Sequence, residues 1–148
     1  MTYAEKATTL LCNGANCAQA VFAAFAPEMQ LDEPTALKLA SSFGGGMGRL
    51  REVCGAVSGM LMAYGMLRGY CDLNDPQQKS DHYANVQALA NAFRAEYGAI
   101  VCRELLGLQT NSDPPTPSER NAAFYHNRAC ADYVAFAASL LAEKLDLE

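Results

Sequence analysis

The longest apolar segment of the chain, from Val53 to Leu67, places the strongest limit on its fold. Its residues CGAVSGMLMAYGML (54–67) have no polar face, which is typical of a helix buried on all sides at the centre of a domain. The segment is shorter than the roughly 18 residues that indicate a membrane span. Gly55 and Gly59 share one helix face and would let a second helix approach closely. The segment therefore predicts a central helix over about residues 52–68.

Capping residues and chain breaks predict further helices. Asn13-Gly14 is a turn signal that ends a first helix, and Asn16 can cap a second. Acidic residues followed by proline, in Asp32–Pro34 and Asp75-Pro76, are typical of helix starts. Apolar residues at alternating steps of three and four then predict an amphipathic helix whose inward stripe is Tyr83, Val86, Ala90, Phe93 and Tyr97.

Composition agrees with a helical fold. Of the 148 residues 51% are hydrophobic, there is no tryptophan, and alanine, leucine, methionine and glycine are prominent. A last helix is expected over about residues 127–145, with Tyr133, Val134, Ala137, Leu140 and Leu141 facing inward. No alternating strand pattern and no linker interrupts the chain. We therefore expect an all-α, compact bundle of about five or six helices, forming one domain over residues 1–148.

The charge of the chain limits its partners and its location. Its formal net charge of -5 argues against a general nucleic-acid partner or an anionic membrane surface, since both require a basic face. The N-terminal sequence lacks the cationic start and apolar run of a signal peptide. We expect a cytoplasmic protein without a membrane span. Whether it forms a homo-oligomer stays open at this point.

Six cysteines must then be interpreted in a reducing compartment, where a disulfide scaffold is not expected. No Cys-x-x-Cys motif is present. Four of them, however, fall at the first turn of a predicted helix, where unpaired N–H groups and the helix dipole stabilise a thiolate. Three also have an arginine close in sequence: Arg51, Arg103 and Arg128. The alternative is that these are small buried residues at helix ends. The four are Cys17, Cys54, Cys102 and Cys130.

A glycine-rich segment, Gly44 to Arg49, directly precedes Cys54 and the central helix. It fits neither the P-loop nor the dinucleotide-binding pattern. Its glycines free the backbone from side chains, and exposed N–H groups can hold an anion. We therefore predict a substrate-binding wall made of Gly44, Gly45, Gly46, Arg49 and Arg51. These arginines lead us to expect that Cys54 is the most acidic of the four thiols, although the glycines could instead serve only a sharp turn.

The strings GANCAQAVFAAFA, ASSFGGGMGR, CGAVSG and VCRELLG, followed by a cysteine before the last helix, resemble the C_GCAxxG_C_C family of redox-active proteins. The resemblance spans roughly residues 10–141. It implies that the signature cysteines are Cys17, Cys54, Cys102 and Cys130. Cys12 and Cys71 lie outside the pattern.

Three functions are compatible with these features. The first is thiol–disulfide or related electron-transfer chemistry with a redox partner protein or a small-molecule oxidant, as in a thiol-dependent oxidoreductase, for which no cofactor is required. The second is a binding module whose four cysteines hold zinc, another metal or an iron–sulfur cluster. The third is a helical interaction protein with buried thiols.

Overall fold

The computed structural model describes residues 1–108, 113–121 and 129–147 of the chain. Helices form most of these ranges, and the predicted all-α class is confirmed. The seven helices are α1 (Tyr3–Cys12), α2 (Cys17–Ala24), α3 (Glu33–Ala40), α4 (Gly55–Arg68), α5 (Pro76–Tyr97), α6 (Cys102–Leu105) and α7 (Cys130–Lys144). None of them combines the length and apolar character needed to cross a membrane.

Local capping explains where several helices begin. The Thr2 side chain accepts from the Glu5 N–H while the Glu5 carboxylate accepts from the Thr2 N–H, a capping box that starts α1. Asp32 and Asp75 cap α3 and α5, each with a proline in the first turn. The starts predicted from these residues are therefore confirmed.

Two helices, α4 and α2, lie at the centre of the core. Half of α4 is buried, as predicted for the central apolar segment, but the helix begins at Gly55 and not at 52. In α2 six of eight residues are buried, so it occupies the centre equally. A Cβ added to Gly55 would lie 3.0 Å from the Ala18 nitrogen, and one added to Gly59 would lie 2.6 Å from the Ala18 oxygen. The predicted close approach at these glycines is thus confirmed, and α2 is the helix that approaches.

The remaining helices pack around this pair. Helix α7 packs against α1, α2 and α4, and its Tyr133, Val134, Ala137 and Leu141 are buried as predicted. Helix α5 lies at the periphery, with only Leu89 and Phe93 buried. The expectation that Tyr83 faces inward is wrong, because the residue is 51% exposed. The N-terminal half of α5 contains no buried residue. Tyr83 meets the ring of Tyr70, edge to face at 6.5 Å, and Lys79 Nζ lies 5.8 Å from the centroid of its ring.

A single antiparallel bridge joins Val53 to Val101 in the described ranges. On one side of it the Cys54 N–H donates to the Ile100 oxygen at 2.7 Å. On the other the Cys102 N–H donates to the Glu52 oxygen at 2.6 Å. Residues one step from a bridge pair point to the face opposite that pair. The bridge therefore holds Cys54 and Cys102, at the starts of α4 and α6, on one common face.

Candidate functional site

The four predicted cysteines all stand at helix starts. Cys17, Cys102 and Cys130 are the first residues of α2, α6 and α7, and Cys54 is the N-cap of α4. All four line one cavity of about 380 Å³. The two cysteines outside the pattern, Cys12 and Cys71, are exposed and do not line this cavity.

Asn16 fixes the position of Cys17. Its side-chain oxygen accepts from the Gln19 N–H at 2.8 Å, and the Gln19 side chain accepts from the Asn16 N–H at 3.0 Å. The Asn16 amide also donates to the Ser41 oxygen at 3.2 Å. A Cβ at Gly44 would lie 2.3 Å from this side chain, so only glycine fits there. Gly44 thus forms part of the cavity wall by leaving room for the cap that orients Cys17.

Cys17 and Cys130 form a hydrogen-bonded thiol pair. This contact raises the pKa of Cys17 well above its ordinary value, and burial of its sulfur and the charges of the other three thiols raise it further. Cys17 therefore keeps its proton at neutral pH, and its partner Cys130 is the first residue of the 15-residue helix α7. As whole residues both are half-buried, whereas Cys54 and Cys102 are buried.

Cys54 does not have the lowered pKa expected from the sequence. Burial raises the pKa of its thiol from 9.0 to about 12. The N–H groups of Ala56 and Val57 at the start of α4 act in the opposite direction, and the charges of Cys102 and Cys130 add to the rise. The lowered pKa on which the expectation for Cys54 depends is therefore wrong, whereas its rank among the four thiols stays a prediction. Its residue is only 4% exposed, and desolvation outweighs the helix start.

Arg51 is directed at Cys102 and not at Cys54. Its side chain is 2% exposed, and its Nη1 lies 3.5 Å from the Cys102 sulfur. Its Nε donates to the Asp113 carboxylate at 2.6 Å. Burial acts to lower the pKa of Arg51, but the contacts with Cys102 and Asp113 outweigh it and the pKa is raised. The buried guanidinium is therefore charged beside the Cys102 sulfur.

The glycine segment forms a left-handed turn. Five consecutive residues, 45–49, have φ between +61° and +69°. The Gly48 N–H donates to the Gly44 oxygen at 2.9 Å, and the Glu52 N–H donates to the Gly46 oxygen at 2.9 Å. The glycines of this segment adopt the positive φ values that their lack of a side chain permits, and they do so in an ordered, hydrogen-bonded turn. A Cβ at Gly46 would lie 2.8 Å from the Cys102 Cβ, so this turn packs directly on the cysteine.

Residues 113–121, here called the strap, form part of the cavity wall through Pro115, Pro117, Ser118 and Arg120. Arg49 donates from Nε to the Pro114 oxygen at 2.7 Å and from Nη1 to the Ser118 hydroxyl at 3.2 Å. At the other end Arg120 donates to the Leu11 and Ala15 oxygens, each at 3.1 Å. Arg49 therefore holds the strap. Three prolines within residues 113–121 predict a loop, but nothing in this stretch of sequence indicates that it contacts Arg49.

Tyr133 is a further cavity residue that sequence reasoning assigned only to the core. Its hydroxyl donates to the Leu105 oxygen at 3.2 Å, which joins α7 to α6. Burial raises the pKa of Tyr133, with the charges of Cys130 and Cys54 among the further causes. Its phenol ring thus closes the cavity wall next to these thiols.

The other arginines named from the sequence have different positions. Arg103 donates from Nη1 to the Arg51 oxygen at 3.1 Å and lies 3.1 Å from the Glu52 carboxylate. Its charge is therefore paired with the Glu52 carboxylate. Arg128 lies outside the described residues.

No group of three or more cysteine, histidine, aspartate or glutamate side chains within the described ranges is arranged to hold a metal ion. The four-cysteine metal or cluster site considered from the sequence stays a prediction.

A family model described as "Putative redox-active protein (C_GCAxxG_C_C)" matches residues 15–144 of the chain. The matched range contains all four cysteines of the cavity and the sequence CGAVSG at 54–59. No curated protein and no solved structure matches the chain.

Proposed function

This chain belongs to the C_GCAxxG_C_C family of redox-active proteins, and from that membership we propose that it performs thiol–disulfide exchange through Cys130 and Cys17. The observation that carries the proposal is the hydrogen bond between the thiols of Cys17 and Cys130, which begin two helices far apart in sequence. Two further cysteines line the same cavity. Exchange requires a thiolate and a second thiol within reach, and the pair supplies both. The proposal places the chain in the reducing cytoplasm, which keeps the pair reduced at rest.

The reaction begins at Cys130. Its thiolate attacks one sulfur of a substrate disulfide R–S–S–R, so that a Cys130–S–S–R bond forms, the substrate S–S bond breaks and R–S⁻ leaves. Cys17 then gives up its proton to a leaving thiolate and attacks the Cys130 sulfur, which releases the second R–S⁻. The products are a Cys17–Cys130 disulfide, one R–SH that carries the Cys17 proton, and one R–S⁻, which takes up from solvent the proton that Cys130 released when its thiolate formed. Two electrons have passed from the cysteine pair to the substrate.

The inner cysteines form a second pair in this proposal. Cys54 and Cys102 flank the Val53–Val101 bridge and line the same cavity, so the outer disulfide can exchange with them by the same attack and release. The charged Arg51 favours a thiolate on Cys102 as the attacking member.

The residues of the predicted substrate-binding wall have different roles in the proposal. Gly44, Gly45 and Gly46 line the cavity, and a side chain at Gly44 or Gly46 would collide with Asn16 or Cys102. Arg49 holds the strap in the cavity wall, and Arg51 supplies positive charge inside.

The test is exchange of the reduced full chain with 2-hydroxyethyl disulfide, a neutral small disulfide, followed by peptide mapping without reductant. We expect a Cys17–Cys130 disulfide as the first product, and a mixed disulfide trapped on Cys130 in C17S. The matched control C71S removes an exposed thiol outside the cavity and should react like the wild type. If Cys17 and Cys130 stay reduced or join other partners first, the assignment of the pair is wrong.

The same preparation separates the metal alternative. Iron and zinc analysis with an absorption spectrum, on protein purified without air, should show no stoichiometric metal bound through the four cysteines. One equivalent of zinc, or an iron–sulfur spectrum lost on replacing these cysteines, would favour the binding module instead.

A further inference from the structure

The cysteine cavity is positively charged, in contrast to the whole chain. The charged side chains that line it in the described ranges are Arg49, Arg51 and Arg120, and no carboxylate lines it there. Asp113 lies 2.6 Å from Arg51 and 4.0 Å from Arg49, so both guanidinium groups face the same carboxylate. A cavity lined by three arginines, in a chain of net charge -5, favours an anionic occupant over a neutral or cationic one.

One hydrogen-bond donor inside this cavity has no partner among the described residues. Arg51 uses Nε for Asp113 and Nη1 for Cys102, but its Nη2 is buried and makes no hydrogen bond. Buried polar groups are nearly always satisfied, and a charged one left without a partner is costly. A hydrogen-bond acceptor that enters the cavity would satisfy Arg51 Nη2. The planar guanidinium group suits the oxygens of a carboxylate or other oxoanion.

The size and cover of the cavity limit what can enter. A volume of about 380 Å³ suits a small molecule. The strap is held in the cavity wall by Arg49 and Arg120, and Cys102 is only 7% exposed. A thiol this buried favours a small reactant over the disulfide of a folded partner protein.

We infer that the substrate class of this cavity is a low-molecular-weight anion whose carboxylate or similar oxoanion group binds Arg51 Nη2, next to the Cys102 sulfur. This inference rests on the proposed function, because it names the substrate of the same site. The anionic group is held beside one of the inner thiols, so the reactive part of the molecule lies among the cysteines. Arg51 is thus a specificity-determining residue.

Two alkylating agents of nearly equal size test the inference. Iodoacetate and iodoacetamide both alkylate a thiolate with loss of iodide, but only iodoacetate carries a carboxylate. Rates at each cysteine of the reduced full chain are measured by quenching and mass spectrometry. The ratio of the iodoacetate rate to the iodoacetamide rate at Cys102 is then divided by the same ratio at the exposed Cys71, which corrects for intrinsic reactivity.

In the wild type we expect this normalised ratio to be tenfold or more at Cys102. The variant R51Q should lower it towards one. The control R94Q removes an equal charge from the exposed surface of α5, away from the cavity lining, and should leave the ratio high. As a measurement independent of any variant, sodium sulfate should slow alkylation of wild-type Cys102, compared with sodium chloride at equal ionic strength, without slowing Cys71.

A normalised ratio near one in the wild type overturns the inference. So does a lack of reaction of either reagent with the cavity cysteines, because the cavity then does not admit a small anion. A ratio that stays high in folded R51Q overturns the role of Arg51. A chain that forms the Cys17–Cys130 disulfide with the neutral probe but shows no preference for iodoacetate contradicts this inference alone. A chain that prefers iodoacetate but does not form the Cys17–Cys130 disulfide with the neutral probe contradicts the exchange reaction alone.

Discussion

The buried thiol of Cys54 gives the free energy of unfolding a specific dependence on pH. Its pKa is raised from 9.0 to about 12, chiefly by burial. Between these two pH values the unfolded chain loses a proton from this thiol that the folded chain keeps. The stability linked to Cys54 is therefore fully present below pH 9 and is lost as the pH rises towards 12. At about 1.36 kcal/mol per pKa unit, the full loss is about 4 kcal/mol.

The variant C54S tests this dependence, because serine does not ionise in the same range. Unfolding by urea is followed by circular dichroism from neutral pH to about pH 10.5, with a phosphine to keep thiols reduced. Over the 1.5 or so pH units above the ordinary thiol pKa, the free energy of unfolding of the wild type should fall by about 2 kcal/mol more than that of C54S. The slope of the free energy of unfolding against pH is compared between the two proteins, because other groups with raised pKa values contribute to this slope in both. These groups are Cys17, Tyr97 and Tyr133.

The control for loss of a thiol is C71S, which removes an exposed cysteine and should keep the slope of the wild type. Parallel curves for wild type and C54S would refute the reasoning, since they would mean that Cys54 ionises at the same pH in the folded and unfolded chain.

Two further predictions concern the glycine turn and the strap. Replacing Gly46 by alanine should destabilise the fold well beyond the roughly 1–2 kcal/mol cost of a left-handed residue, because its Cβ would lie 2.8 Å from the Cys102 Cβ. Alanine at Gly48, where a Cβ would lie 4.0 Å from its nearest neighbour, should cost only the free energy of placing a non-glycine residue at positive φ. If urea denaturation shows that both variants lose the same free energy of unfolding, the packing argument for Gly46 is contradicted. Replacing Asp113 by asparagine should free the strap from Arg51 and raise the rate of iodoacetamide alkylation at Cys102 severalfold. An unchanged rate would mean that the strap does not limit access.

Local signals predicted the frame of the site well. Asn16 caps the helix that begins at Cys17, as its side chain and position indicated. The acidic caps with proline gave the starts of α3 and α5. Each of these depends on residues within one helical turn, so a short stretch of sequence is enough to predict it.

The chemistry of the site depends on contacts that no local pattern contains. The bridge between Val53 and Val101 turns Arg51 towards Cys102, although Cys54 is nearer to it in sequence. Desolvation of Cys54 likewise depends on how the whole core closes over it, and it reverses the pKa shift that a helix start alone predicts. The role of the strap follows from Arg49, which contacts it across more than 60 residues of sequence.

The separation of the four helix starts has a consequence for biosynthesis. Cys17 precedes Cys130 by 113 residues. At about 5–20 residues per second, the ribosome takes on the order of ten seconds to supply the second thiol. Helix α7, which packs against α1 and α2, does not yet exist in that interval, and the nearest thiol in the nascent chain is Cys12, five residues before Cys17. The Cys17–Cys130 pair therefore exists only in the completed fold, and until then the cysteine nearest to Cys17 in sequence is Cys12.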